Sequence, residues 1–121
     1  MTITIAIDGP AASGKSTIAK QIAKKLNITY IDTGAMYRGV TLAILKRGIE
    51  VENVQEIRNI LNNIELDFNF VNGVQHLFLD GQDAEEEIRS IEVSQNVSAV
   101  SALDFVREKL VDLQRKMAEK Q

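Results

Sequence analysis

Residues 9 to 17 read Gly-Pro-Ala-Ala-Ser-Gly-Lys-Ser-Thr, and Gly9 to Ser16 satisfies G-x-x-x-x-G-K-[ST] at every fixed position. Each residue type has a physical use there. Gly9 and Gly14, with Pro10, Ala11, Ala12 and Ser13 between them, let the backbone curl until several N–H groups converge on a polyphosphate at a helix N-terminus. Lys15 is placed to reach the β- and γ-phosphates and to neutralise charge as the γ-phosphoryl group moves. The Ser16 hydroxyl is a ligand for the Mg²⁺ that accompanies ATP, and Thr17 supports the α-phosphate. A chance glycine turn capping a helix is the plain alternative, and the complete pattern between a strand and a helix argues against it.

A second stretch, Asp-Thr-Gly-Ala-Met-Tyr-Arg-Gly-Val over residues 32–40, follows a second short apolar run. Thr33 and Gly34 are expected to leave an open, hydroxyl-bearing turn at the carboxyl end of a strand, where open α/β sheets bind ligands. Tyr37 and Arg38 then fall on the helix that begins beside it. Arg38 offers a planar fork for a phosphate and Tyr37 a hydroxyl donor. A half-buried tyrosine and a solvated arginine on an amphipathic helix explain the spacing equally well.

The elements that must position these groups are legible from periodicity. Thr2 to Ile7 is β-branched, ends in Asp8-Gly9 and predicts a buried strand. Ile18, Ile22 and Leu26 predict a helix after the glycine turn, stopped near Asn27, and "ITYID" predicts the second strand. Another helix is expected from Ala35 to Lys46, with Gly48 as its C-cap, and Val54, Ile57, Leu61 and Ile64 mark a third. The period then becomes two in "ELDFNF", followed by Asn72-Gly73, "VQHLFL" and Asp80-Gly81, which predicts an antiparallel hairpin. Ile88, Ile91, Val93, Val97 and Val100 suggest one helix. Val106, Leu110, Leu113 and Met117 suggest the last, with Asp104 as a candidate N-cap.

Composition bounds the role. In 121 residues there are no cysteines, so disulfides, thiolate metal sites and cysteine nucleophiles are excluded. The net charge of −3 provides no bulk field for a nucleic acid polymer or an anionic membrane. No apolar run approaches the ~20 residues of a membrane span, and the N-terminus lacks a signal-peptide pattern, so a cytoplasmic protein is expected. His76, the single histidine, is expected to be an exposed strand residue rather than a catalytic base, and Asp80 a turn residue rather than a metal ligand. Glu85, Glu86 and Glu87 are expected to form a solvated helix start. Asp8 is expected to have a local structural role, and its expected proximity to the metal keeps it a candidate.

Taken together, "IAIDGPAASGKST" and "IDTGAMYR" resemble the bacterial cytidylate kinase family. The hairpin region and "EEEIRSIEVSQNVSAVS…VREKL" resemble that family's monophosphate-binding insert and the helices after it, so the likeness runs along essentially the whole chain. The resemblance implies an α/β fold of the P-loop nucleoside-triphosphate-hydrolase type, a parallel sheet with helices and a small antiparallel insert. It divides the chain into the start of the kinase core (1–62), the insert (63–93) and a helical return segment (94–121). It implies phosphoryl transfer from ATP with Mg²⁺ to CMP or dCMP, with Lys15 and Arg38 as catalytic groups. Thr33, Gly34, Tyr37 and Arg38 then correspond to groups holding the acceptor, and Ser98 and Arg107 match positions that contact cytosine. Without the resemblance, Ser98 reads as a helix residue and Arg107 as a solvated charge. Arg89 also matches a family position, with a structural role expected.

The family pattern continues with a strand ending in Gly-Arg-Asp and an arginine-bearing lid, whereas here Gln114 is followed only by "RKMAEKQ". The chain is therefore expected to be an N-terminal portion, weakly active or inactive alone. In the family the first two strands are separated by a strand expected later in the sequence. Open edges would then invite self-association or strand exchange. The alternatives are a kinase for another small acceptor (AMP, UMP or shikimate) and a non-catalytic nucleotide-binding fragment.

Overall fold

A computed structural model describes residues 4–7 and 29–119. Gly9–Thr17, Asp8 before them and the helix expected between Lys15 and Leu26 lie outside the described residues. The elements are strands β1 (Thr4–Ile7) and β2 (Thr29–Asp32), helices α1 (Thr33–Lys46) and α2 (Val54–Asn63), strands β3 (Leu66–Val71), β4 (Val74–Leu79) and β5 (Gln82–Asp83), a 3-10 turn at Glu87–Arg89, and helices α3 (Ile91–Ser101) and α4 (Asp104–Glu119).

β1 and β2 pair directly and in parallel, with Thr4 opposite Thr29 and Ile7 opposite Asp32. The family's separating strand is expected to be missing from this chain, and here β1 and β2 pair with each other instead. Two short strands with facing backbone donors and acceptors satisfy those groups by pairing with each other.

α1 is the central helix and touches α2, β4, the 3-10 turn, α3 and α4. Met36, Val40 and Ile44 recur every fourth residue and are fully buried, with Thr41, Leu42 and Ala43 burying the flanks. Its end is set by backbone geometry. Gly48 takes φ +66°, its N–H donates to the Leu45 carbonyl at 3.0 Å, and the Ile49 N–H donates to the Ile44 carbonyl at 3.1 Å. That pair of bonds is a Schellman stop, in which the position after the cap must be left-handed. The cap itself is Arg47, and Gly48 is the residue beyond it. Nothing lies within 4 Å of a Cβ at Gly48, so Gly48→Ala incurs the conformational cost alone. Thermal or urea unfolding should show a loss of about 1 kcal/mol, and an unchanged midpoint would contradict the left-handed assignment.

The hairpin is the start of a three-stranded antiparallel meander, β3–β4–β5. Asn72 and Gly73 have φ of 51° and 80°, and Asp80 and Gly81 have 52° and 82°. Both two-residue turns therefore have the positive-φ pair of a type I′ hairpin connection, whose twist matches that of the strands. Asp80 also accepts the Glu65 N–H through Oδ1 at 2.8 Å, as suits a residue closing the sheet. Leu66, Leu77 and Leu79 face α1 and are buried. Leu77 and Leu66 sit directly on Gly39 of α1, where a Cβ would lie 2.8 and 2.9 Å from their Cδ2 atoms.

After the meander the chain departs from the single helix expected over Ile88–Val100. Ser90, with ψ 158°, breaks the run and N-caps α3 by accepting the Val93 N–H at 3.3 Å. Ile88 belongs to the 3-10 turn and is buried, whereas Ile91 opens α3 and is 76% exposed. The three glutamates are likewise not one solvated helix start. Glu85 is half-buried, accepting the Leu77 N–H through Oε1 at 3.0 Å and the Arg89 guanidinium through Oε2 at 2.6 and 3.0 Å. Glu87 pairs with Lys46 of α1. Arg89 is thereby tied to Glu85 one turn before it. α4 buries Val106 and Leu110 and leans on α2, where the Arg58 guanidinium lies 4.3 Å from the centre of the Phe105 ring. Asp104 is the first residue of α4 rather than its cap, and its carboxylate accepts from the Arg107 guanidinium. Among the described residues, no helix is long and apolar enough to cross a membrane.

Candidate acceptor-binding site

The site begins where β2 turns into α1. Asp32 ends the strand with extended backbone, and its Oδ1 accepts the Ala35 N–H at 3.1 Å, so the helix starts at the next residue. Thr33 and Gly34 are consequently the first residues of α1 and are buried. They do not form the open turn that the sequence suggests. With a carboxylate already on its N-terminus, α1 is a poor cradle for a second anion at that end. The cation on the N-terminal half of the helix is Arg38, one turn past Gly34.

Arg38 is half-buried and reaches from α1 to the 3-10 turn and α3. Its Nη1 donates to the Ile88 carbonyl and to Ser94 Oγ, each at 3.0 Å. It is therefore not the solvated charge of the plain alternative. Tyr37 is half-buried, and its carbonyl accepts from the Thr41 hydroxyl at 2.9 Å. Neither Ser94 nor the Ile88 carbonyl stands out in the sequence as a partner of Arg38. Ser94 lies four residues before Ser98, so the two share a face of α3, and that spacing was the available signal.

Ser98 is exposed on α3, one turn beyond the Arg38 contact, and its carbonyl accepts the Ala102 N–H. Arg107 is exposed on the first turn of α4 and engaged by Asp104, so its guanidinium is turned to its own helix. It lines a groove of about 520 Å³ together with Asp104, Glu108, Val111, Asp112 and Arg115. The structure thus brings Arg38 to the helix face that carries Ser98, while none of the contacts described for Arg38 is with Arg107. Lys15 and the rest of the phosphate loop, including Ser16, lie outside the described residues. Ile7, two residues before Gly9 in the sequence, pairs with Asp32 just before the start of α1.

His76 is a partner rather than a free strand residue. Its Nδ1 is 2.8 Å from Asp83 Oδ2, linking β4 to β5, and its side chain is only 22% exposed. The hydrogen bond from His76, then the Glu85 N–H, hold the Asp83 carboxyl below its ordinary value of 3.8. A depressed carboxylate contributes stability that is present above the unfolded value and lost as pH falls through the lower folded one. Carbon-detected NMR titration should place the Asp83 midpoint below 3.8, and His76→Gln should move it upward. A midpoint unchanged by the substitution would remove the histidine as the cause.

A parallel strand pair running straight into a helix with an internal arginine, and an antiparallel meander with two helices folded onto that helix, make a mixed helix-and-sheet protein consistent with nucleotide kinases. The family model described as cytidylate kinase matches residues 5–121. The chain is 53% identical over 118 residues to the cytidylate kinase of Clostridioides difficile (strain 630), covering 98% of this chain and 53% of that relative. It is 48% identical over 118 residues to that of Bacillus thuringiensis (strain Al Hakam), covering 98% of this chain and 52% of the relative. The chain belongs to the cytidylate kinase family. It spans about half the length of the curated relatives it matches.

Proposed function

We propose that this chain is the donor-loop and acceptor-binding portion of an enzyme that transfers the γ-phosphoryl group of ATP to CMP or dCMP, giving ADP and the corresponding diphosphate. The observation that carries this reading is the 53% identity to a cytidylate kinase across nearly the whole chain. Gly9 to Thr17 hold ATP, with Lys15 on its terminal phosphates. Thr33, Gly34, Tyr37 and Arg38 hold the acceptor, Arg38 at its phosphate. Ser98 and Arg107 read the base: both are exposed in the unliganded chain, and a wrong base that covers them would leave their polar groups unpaired. Arg107 must leave Asp104 to do so, an exposed pair that costs little to break.

Among the described residues, no group of three or more His, Asp or Glu side chains gathers to hold a metal. Mg²⁺ would be held mainly by nucleotide phosphates, with Ser16 as the protein's ligand, and would neutralise charge on the transferring group. Residues 1–62 serve as the start of the core, 63–93 as the insert and 94–121 as the return segment. The enzyme acts in the cytoplasm on small nucleotides, with no nucleic acid polymer or membrane as partner. Self-association or strand exchange, where it occurs, uses the outer edges of the β1–β2 pair.

A coupled assay of ADP release with ATP–Mg²⁺ and CMP, dCMP, UMP or AMP, run beside calorimetric titration of each acceptor, tests the reading. Binding confined to CMP and dCMP is expected, with slow or no turnover by the 121-residue chain. Equal or better binding of AMP or UMP would overturn the acceptor assignment. CMP binding without turnover favours the nucleotide-binding fragment over the self-sufficient enzyme.

A further inference from the structure

We propose that Ser94 is a positioning residue: with the Ile88 carbonyl it fixes the Arg38 guanidinium so that its Nε–Nη2 edge faces the acceptor phosphate. The inference rests on the reading of Arg38 as the phosphate-holding group. A guanidinium carries five N–H donors, two of them on Nη1. Both Nη1 hydrogens are matched here, one by the Ile88 carbonyl and one by Ser94 Oγ, at 3.0 Å each. A bidentate oxyanion therefore cannot use the Nη1–Nη2 end of the fork and must take the parallel donors on Nε and Nη2.

The two acceptors are themselves held firmly. The Ile88 side chain is 1% exposed, which pins the 3-10 turn whose carbonyl Arg38 reaches. Val93, the neighbour of Ser94, is fully buried, as is Val100 two turns on, so α3 cannot roll away from α1 without opening the core. Ser90 fixes the start of α3 one turn before Ser94. A long arginine otherwise loses rotamer freedom when a ligand immobilises it, and here that ordering precedes the ligand.

A purely structural brace between α1 and α3 would use the same two bonds, so the test needs a readout that a brace would not move. Ser94→Ala deletes the hydroxyl and Ser94→Thr retains it. In ¹⁵N-arginine NMR spectra of the unliganded chain, the Arg38 Nη1 hydrogens should rotate slowly in the parent and in Ser94→Thr, and faster in Ser94→Ala. In calorimetry, Ser94→Ala should weaken CMP roughly three- to tenfold with ATP unchanged, and Ser94→Thr should restore it. CMP binding by the parent that Ser94→Ala leaves unaltered overturns the positioning role alone. Faster rotation with unaltered CMP affinity reduces Ser94 to a brace and overturns it equally. A parent that binds no CMP while Arg38 rotates slowly removes the acceptor reading first, and the positioning role with it.

Discussion

Leu77→Ala is expected to destabilise the protein by about 3 kcal/mol, read as a lowered urea midpoint at unchanged slope. Leu77 is fully buried on the inner face of the meander, and its Cδ2 sits where a side chain on Gly39 would begin. A loss below about 1 kcal/mol would mean that the meander does not depend on this seat. The partner substitution sharpens the test. Gly39→Ala gains about 1 kcal/mol of helix propensity but places a Cβ 2.8 Å from Leu77 and 2.9 Å from Leu66. Both neighbours are terminal methyls that can shift, so a net loss of about 1 kcal/mol is expected. Combined with Leu77→Ala, which deletes one of the two crowding atoms, the pair should lose less than the sum of the singles by about 1 kcal/mol. Strict additivity would show that Gly39 and Leu77 do not meet.

Arg38→Met is expected to weaken CMP binding by about two orders of magnitude while leaving ATP affinity unchanged. The planar fork is lost together with its charge, and lysine at the same position should recover only part, because it cannot offer parallel donors. The substitution also leaves the Ile88 carbonyl without the Arg38 donor, so a stability loss of about 1 kcal/mol should accompany it. The two effects are separable. Unfolding measured without nucleotide reports the second, and titration of the folded variant reports the first. Arg38→Met with unchanged CMP affinity would exclude Arg38 from the acceptor phosphate.

What could be seen in the sequence was local. Asn72-Gly73 between two period-two runs led to a hairpin, because a two-residue type I′ turn demands those residue types. The stripe of Val106, Leu110, Leu113 and Met117 led to α4 for the equally local reason of helical spacing. β5 escaped because two polar residues have no period, although Asp80-Gly81 was the same turn signal in a second place. Ile88 and Ile91 were merged into one helix because apolar spacing does not report the extended backbone of Ser90 between them. At the site, Arg38 stood out by its neighbours in the chain, while its partners lie 50 and 56 residues away on other elements. No pattern within one segment carries a contact of that range. Asp32 is the reverse case: its capping role is local and carried by its residue type, in the position just before Thr33 and Gly34.

The two sheets differ in how far apart in the chain their partners are, and this orders the folding pathway. Each connection in the β3–β4–β5 meander closes over two residues, whereas Thr4 must find Thr29 across twenty-five positions. Loop-closure entropy favours the short connections, and hairpins of this kind form within about 1–10 μs. We therefore expect the meander and α1, joined through Gly39, to gather first and to present a formed edge of helix on which β2 and then β1 assemble last. Pulsed hydrogen exchange during refolding would show it as early protection of Leu77 and Leu79 and late protection of Ile5 and Ile31, and the reverse order would refute it. A nascent chain leaving the ribosome would then hold its first strand in waiting until some eighty residues have followed it.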